Sequence, residues 1–189
     1  KSPYQSMKDL VEAARKAPGK LNFGTVGHAT SFHLLAESVA LETGVKWNHV
    51  PFRAVGDMVS QTLNGTLDFT VSVPNTLNAG GGGIRGLGIT GDAKLANLPS
   101  VPLLRELGFK YAAPPSIIGL YAPKGIPSDA LAWLRNGCAR AVEGEAFVGN
   151  SAKTLTPMSY ADSAAYAREI QRGNREVGEL IRKLNITAQ

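Results

Sequence analysis

Between Leu21 and Thr90 short apolar runs alternate with stretches of helical periodicity, and that alternation restricts the fold more than any other property of the chain. Leu21–Thr25, Trp47–Phe52, Leu67–Val73 and Ile84–Thr90 read as strands. Ser31–Thr43, stopped by Gly44, and Val55–Leu63, stopped by Asn64-Gly65, read as the helices between them. Strands separated by crossover helices pair in parallel, and strands apolar along their whole length are covered on both faces. The expected class is α/β, a mainly parallel sheet flanked by helices. A further helix precedes the first strand: Ser6 with Asp9 forms a variant of the capping box, Met7, Leu10, Val11 and Ala14 share a face, and Pro18-Gly19 ends it.

The later chain reads differently. Pro74–Ala79 gives one helical turn before the run Gly80–Gly83, Pro102–Leu107 a short helix stopped by Gly108, and Ser116–Ala122 a further strand. Pro123-Lys124-Gly125-Ile126-Pro127 is the strongest boundary signal, and the pattern beyond it is helical. Ser128 is expected to cap a helix running to about Val142, and Thr154–Met158 to form a short strand. Ser159 with Asp162 is expected to cap a final helix striped by Tyr166, Ile170, Val177, Ile181 and Leu184. Arg172–Glu176, Arg175–Glu179 and Glu179–Lys183 lie at ion-pair spacing on its wet face.

Composition narrows the function classes. The 189 residues suffice for one domain or two small lobes, and the 43% hydrophobic content is that of a globular protein. No apolar run approaches the ~20 residues of a membrane helix. The net charge of +5 is spread along the chain, which suits attraction of small anions but offers no basic–aromatic stripe for nucleic acid. Cys138, the single cysteine, falls in an apolar helical pattern with Leu131, Leu134 and Val142 and reads as a buried small hydrophobe.

The segment Pro18–Leu34 carries the best candidate site. A short strand runs into a loop of small residues, Gly24, Gly27 and Ala29, with hydroxyls at Thr25, Thr30 and Ser31, and then into a helix for which Thr30 or Ser31 is a good N-cap. Helix N–H groups aimed at such a loop bind a carboxylate without a metal or a catalytic base. His28 lies in this loop and is a candidate to face the same ligand. Ser72 and Asn75, at the carboxyl end of the Leu67–Val73 run, belong to the edge of the sheet where open α/β folds bind ligands, and they are equally compatible with turn chemistry.

Other chemistries find less support. His28 and His33 are five residues apart, about 140° around a helix, which argues against a shared metal ion; no metal or cofactor is expected. Gly81–Gly86 and Gly86–Gly91 both match G-x-G-x-x-G, but the first precedes its strand and the second lies within it, the wrong context for a dinucleotide. There is no P-loop and no G-x-S-x-G elbow. A small hydrolase or transferase using His28 with Ser31 is the alternative to a binding protein.

The order and spacing of seven segments carry a resemblance. These are Pro18-Gly-Lys-Leu-Asn-Phe-Gly, Gly27 with Ala29-Thr-Ser-Phe-His-Leu, His49-Val-Pro-Phe-Arg-Ala, Asn64-Gly-Thr-Leu-Asp-Phe, Ile84-Arg-Gly-Leu-Gly-Ile-Thr, Leu98-Pro-Ser-Val-Pro-Leu-Leu-Arg-Glu-Leu-Gly and Gly119-Leu-Tyr-Ala-Pro-Lys-Gly-Ile-Pro. In these the chain resembles the Bug family, the extracytoplasmic solute receptors of tripartite tricarboxylate transporters. The resemblance implies a periplasmic, two-lobed periplasmic-binding-protein fold that closes on a small carboxylate and delivers it to membrane permease subunits. It implies that residues 1–120 are the second lobe and 121–189 a mostly helical return to the first, with about a hundred residues of a family member's front absent. Thr25, Gly27, Ala29, Thr30 and Ser31 fall where the family's second lobe meets its ligand. The family commonly has Gly in place of Ala29, often Phe-Asp-Asn in place of Val71-Ser72-Val73, and a more helical segment in place of Gly80–Gly83; loss of that acid removes the partner an amino-acid ammonium group would need. Helices of 121–189 built to pack on another lobe would pair here with a second copy, giving a homodimer.

Overall fold

A computed structural model describes residues 2–91, 94–110, 117–156, 158, 160–184 and 186. Helix α1 (Met7–Lys16) is opened by Ser6, whose Oγ accepts the Asp9 N–H at 3.2 Å while Asp9 Oδ2 accepts the Gln5 N–H at 2.9 Å. Then follow β1 (Asn22–Val26), α2 (Ser31–Thr43), β2 (Asn48–Phe52), α3 (Val55–Leu63), β3 (Phe69–Thr70) and the single turn α4 (Thr76–Ala79). The strands are parallel in the order β2-β1-β3, with Phe23 opposite both His49 and Phe69. Alternation along β1 sets the layers. Phe23 is fully buried in a cluster with Leu10, Val11 and Ala14 of α1 and Ala36, Val39 and Ala40 of α2. Gly24 points the other way, where a Cβ would lie 3.0 Å from Met58 of α3 and 2.6 Å from Leu67. Both faces are therefore covered, as the apolar runs require.

Several expectations are corrected. The seven-residue strand Leu67–Val73 is reduced to Phe69–Thr70, with flanking bonds from Asp68 N to Asn22 O and from Val71 N to Gly24 O. The Asp68 carboxylate takes the Asn22 N–H at 2.7 Å in place of a backbone carbonyl, and Pro74 has no N–H to continue the ladder. Ile84–Thr90 forms no strand but a single parallel bridge, Ile89 to Leu103. Its glycines are packing devices: a Cβ on Gly86 or Gly88 would strike Val101 or Leu104. Pro102–Leu107 becomes a 3-10 turn, Leu104–Leu107, ended by Gly108 at φ 91°.

The helices beyond are α5 (Ser128–Glu143), α6 (Glu145–Thr154) and α7 (Ser163–Leu184). Pro127, not Ser128, is the N-cap of α5. Ser116 and Ser159 lie outside the described residues; 117–122 form no strand, and Thr154 ends α6, a helix the sequence reading missed. Asp162 caps α7, accepting the Ala165 N–H at 2.8 Å. Neither α5 nor α6 buries a residue, so Cys138 is half-buried rather than buried; its helix has the apolar pattern, but its contact with α6 covers no side chain completely. Helix α7 does pack: Leu180, with Val177, Ile181 and Leu184 beside it, closes on Leu34 of α2.

Candidate functional site

The parallel strands end on one edge at Val26, Phe52 and Thr70. From β1 the chain passes through α2 to β2 on one flank, then through α3 to β3 on the other. At such a reversal the loops part and leave a crevice at the carboxyl ends of the strands. The loop from Gly27 to Thr30 leaves the central strand there, and Ser72 and Asn75 follow the short β3 on the same edge.

The loop is tightly held. Gly27 has φ 82°, donates to Phe52 O at 3.0 Å, and a Cβ on it would lie 2.9 Å from Thr30 Cγ2, so glycine is required. Ala29 also occupies the left-handed region, at φ 55°, where a side chain is strained. Its N–H donates to His33 Nδ1 at 3.1 Å. Thr30 is the N-cap of α2, but its hydroxyl donates back to Val26 O at 3.3 Å rather than capping. Ser31 begins the helix. Thr30 makes no side-chain cap and the first turn of α2 carries no acidic residue to offset its positive end. Ser72 Oγ accepts the Thr76 hydroxyl at 2.9 Å, and Asn75 is exposed at the start of α4.

Thr25 differs from the role given to it. It is 0% exposed, and its Oγ1 lies 2.8 Å from Gly27 O and 2.7 Å from His49 Nε2. It therefore supports the loop from behind. The expected 140° separation of His28 and His33 also does not apply, because His28 precedes α2 and the left-handed turn at Ala29 folds its ring back over the helix. His33 and His49 stack at 3.9 Å with an 11° interplanar angle, and His28 lies 4.8 Å from His33 and 5.7 Å from His49. His49 is the residue sequence reasoning missed. The signal was period-two alternation: paired in register with Phe23, it shares the face on which α2 packs.

Burial, with added repulsion from His33 and His28, pushes His49 down to about 4, and burial with the neighbouring His28 also lowers His33. Burial raises Glu37, whose Oε1 is 3.8 Å from His33 Nε2. At neutral pH the buried imidazoles are uncharged. The hydroxyl–imidazole pair seen here joins His49 to Thr25, which is fully buried, and is not the His28–Ser31 pair of the hydrolase alternative.

Comparison with known proteins agrees with this architecture. Residues 1–186 match the family described as tripartite tricarboxylate transporter family receptor, TctC. A Cupriavidus necator protein, "UPF0065 protein in gbd 5'region", is 28% identical over 98% of this chain and 57% of its own length. BugT of Bordetella pertussis is 26% identical over 97% of the chain and 58% of its own length. Among solved structures, one described as a periplasmic transporter superposes with a TM-score of 0.86 at 26% identity, over 99% of this chain and 63% of that one. An R. palustris protein solved with adipate reaches 0.86 at 20% identity, over 98% of this chain and 62% of its own, a likeness of fold. The chain thus spans less than two thirds of the length of these relatives. It belongs to the tripartite tricarboxylate transporter receptor family.

Proposed function

We propose that this chain is the ligand-binding part of a periplasmic receptor that captures a small organic carboxylate and presents it to the membrane permease of a tripartite transporter. The observation that carries the reading is the uncapped, acid-free N-terminus of α2 at the reversal of the parallel sheet. One carboxylate accepts hydrogen bonds from the backbone N–H groups of Thr30 and Ser31 at the start of the helix, with Gly27, His28 and Ala29 lining the approach and Ser72 and Asn75 on the far side. Thr25 holds the loop in shape. The process is binding without turnover. Residues 1–120 act as one lobe and 121–189 as the return segment of another, whose exposed apolar faces pair with a second copy. The adipate of the R. palustris structure and the malate bound to MatC of Rhodopseudomonas palustris suggest a dicarboxylate, by analogy of fold.

The test is an NMR titration of the chain with adipate, succinate and citrate. Amide resonances of Gly27–Ser31 should move first and saturate, and Ser31→Asp, which sets a negative charge at the helix start, should weaken binding by at least about tenfold. Unmoved Gly27–Ser31 resonances with all three acids would refute the reading.

A further inference from the structure

We propose that His28, His33 and His49 bind one borderline divalent transition-metal ion, of the chemistry of Zn2+, Ni2+ or Cu2+. The three imidazoles come from three segments, the loop, α2 and β2, and one nitrogen from each lies within 4.8 Å of the others. Metal–nitrogen bonds of about 2.1 Å place ligand nitrogens roughly 3.4 Å apart in a tetrahedral site, so the rings must turn to bring their nitrogens onto one ion. His28 is exposed and able to swing, whereas His33 and His49 lie face to face with parallel in-plane lone pairs, so one of those two rings turns out of the stack for both to reach the same ion.

The surroundings are those of metal-ligating histidines, whose second nitrogen is held by a neighbour. The Thr25 hydroxyl proton goes to Gly27 O, so His49 Nε2 is the nitrogen that donates to Thr25 Oγ1, and Nδ1 keeps its lone pair for an ion. His33 accepts the Ala29 N–H on Nδ1, so its Nε2 carries the proton and faces Glu37 Oε1 at 3.8 Å. An ion reaching His33 Nδ1 displaces that amide. Three nitrogens without a thiolate favour borderline ions over calcium or magnesium and leave a coordination position open. The site does not depend on the carboxylate reading and is tested without any carboxylate.

The experiment is calorimetric titration of the untagged, chelator-stripped full chain with Zn2+ alone, repeated for His28→Ala and His49→Gln. The expected result is one ion per chain, with affinity reduced by at least about tenfold in each variant. Because His28 is exposed, its variant keeps the fold, which circular dichroism verifies. Electron paramagnetic resonance of bound Cu2+ should show coupling to more than one imidazole nitrogen. No binding of Zn2+, or binding that His28→Ala and His49→Gln both leave within twofold of the parent, overturns the proposal.

Discussion

At the scale of single residues, the loop between β1 and α2 is a compromise between shape and strain. Gly27 has no latitude, since both its φ of 82° and the closeness of Thr30 exclude a side chain. Ala29 has a side chain in a conformation that disfavours one by about 1–2 kcal/mol. Replacing it with glycine removes that strain while loosening the unfolded chain by about 0.4–1 kcal/mol. Ala29→Gly should therefore be neutral to stabilising, by up to about 1 kcal/mol in urea denaturation. Ala36→Gly, inside α2 and buried, should lose about 1 kcal/mol or more. If both substitutions destabilise equally, the left-handed assignment of Ala29 is wrong. This position also shows where sequence reading stops. The small residues Gly24, Gly27 and Ala29 mark the loop in the sequence, but nothing in the sequence at Ala29 reveals its positive φ.

At the scale of elements, what was legible follows from how local the determinants are. The helices Met7–Lys16, Ser31–Thr43 and Val55–Leu63 were readable because their caps, stops and apolar faces lie in adjacent residues. The Leu67–Val73 run was misjudged because strand length depends on the partner: the Asp68 side chain replaces a ladder bond from Asn22. Ile84–Thr90 looked like a strand, but its glycines serve packing on Val101 and Leu104. The apolar stripe of α7 was legible, whereas its partner was not. Expected to await another lobe, the Val177–Leu184 end of the helix instead closes on Leu34 of α2. Leu180 is 6% exposed, and Leu180→Ala should cost about 2–4 kcal/mol in urea denaturation. Because Leu34 and Leu180 share one cluster, the double substitution with Leu34→Ala should cost less than the sum of the two. Strict additivity would mean that α7 does not rest on α2 in solution.

At the scale of the whole molecule, burial is unevenly distributed. The core gathers residues from α1, β1, α2 and the Leu104 turn, while α5 and α6 bury none of their own. Ile118 is 91% exposed and Trp133 71% exposed, with Leu120, Tyr121, Phe147 and Val148 also open to solvent. Exposed large apolar side chains favour association, because their removal from water contributes roughly 25 cal/mol per Å². The mild net charge of +5 offers little repulsion to oppose this. Light scattering on the chain should give a mass that rises from monomer toward dimer with concentration. Ile118→Ser with Trp133→Ser should restore a constant monomer mass. Since neither side chain belongs to the core, the double variant should leave unfolding by urea within about 0.5 kcal/mol per site of the parent. A parent chain that stays monomeric at millimolar concentration would refute self-pairing. It would leave those side chains to a different polypeptide, while the loop between β1 and α2 would be unaffected.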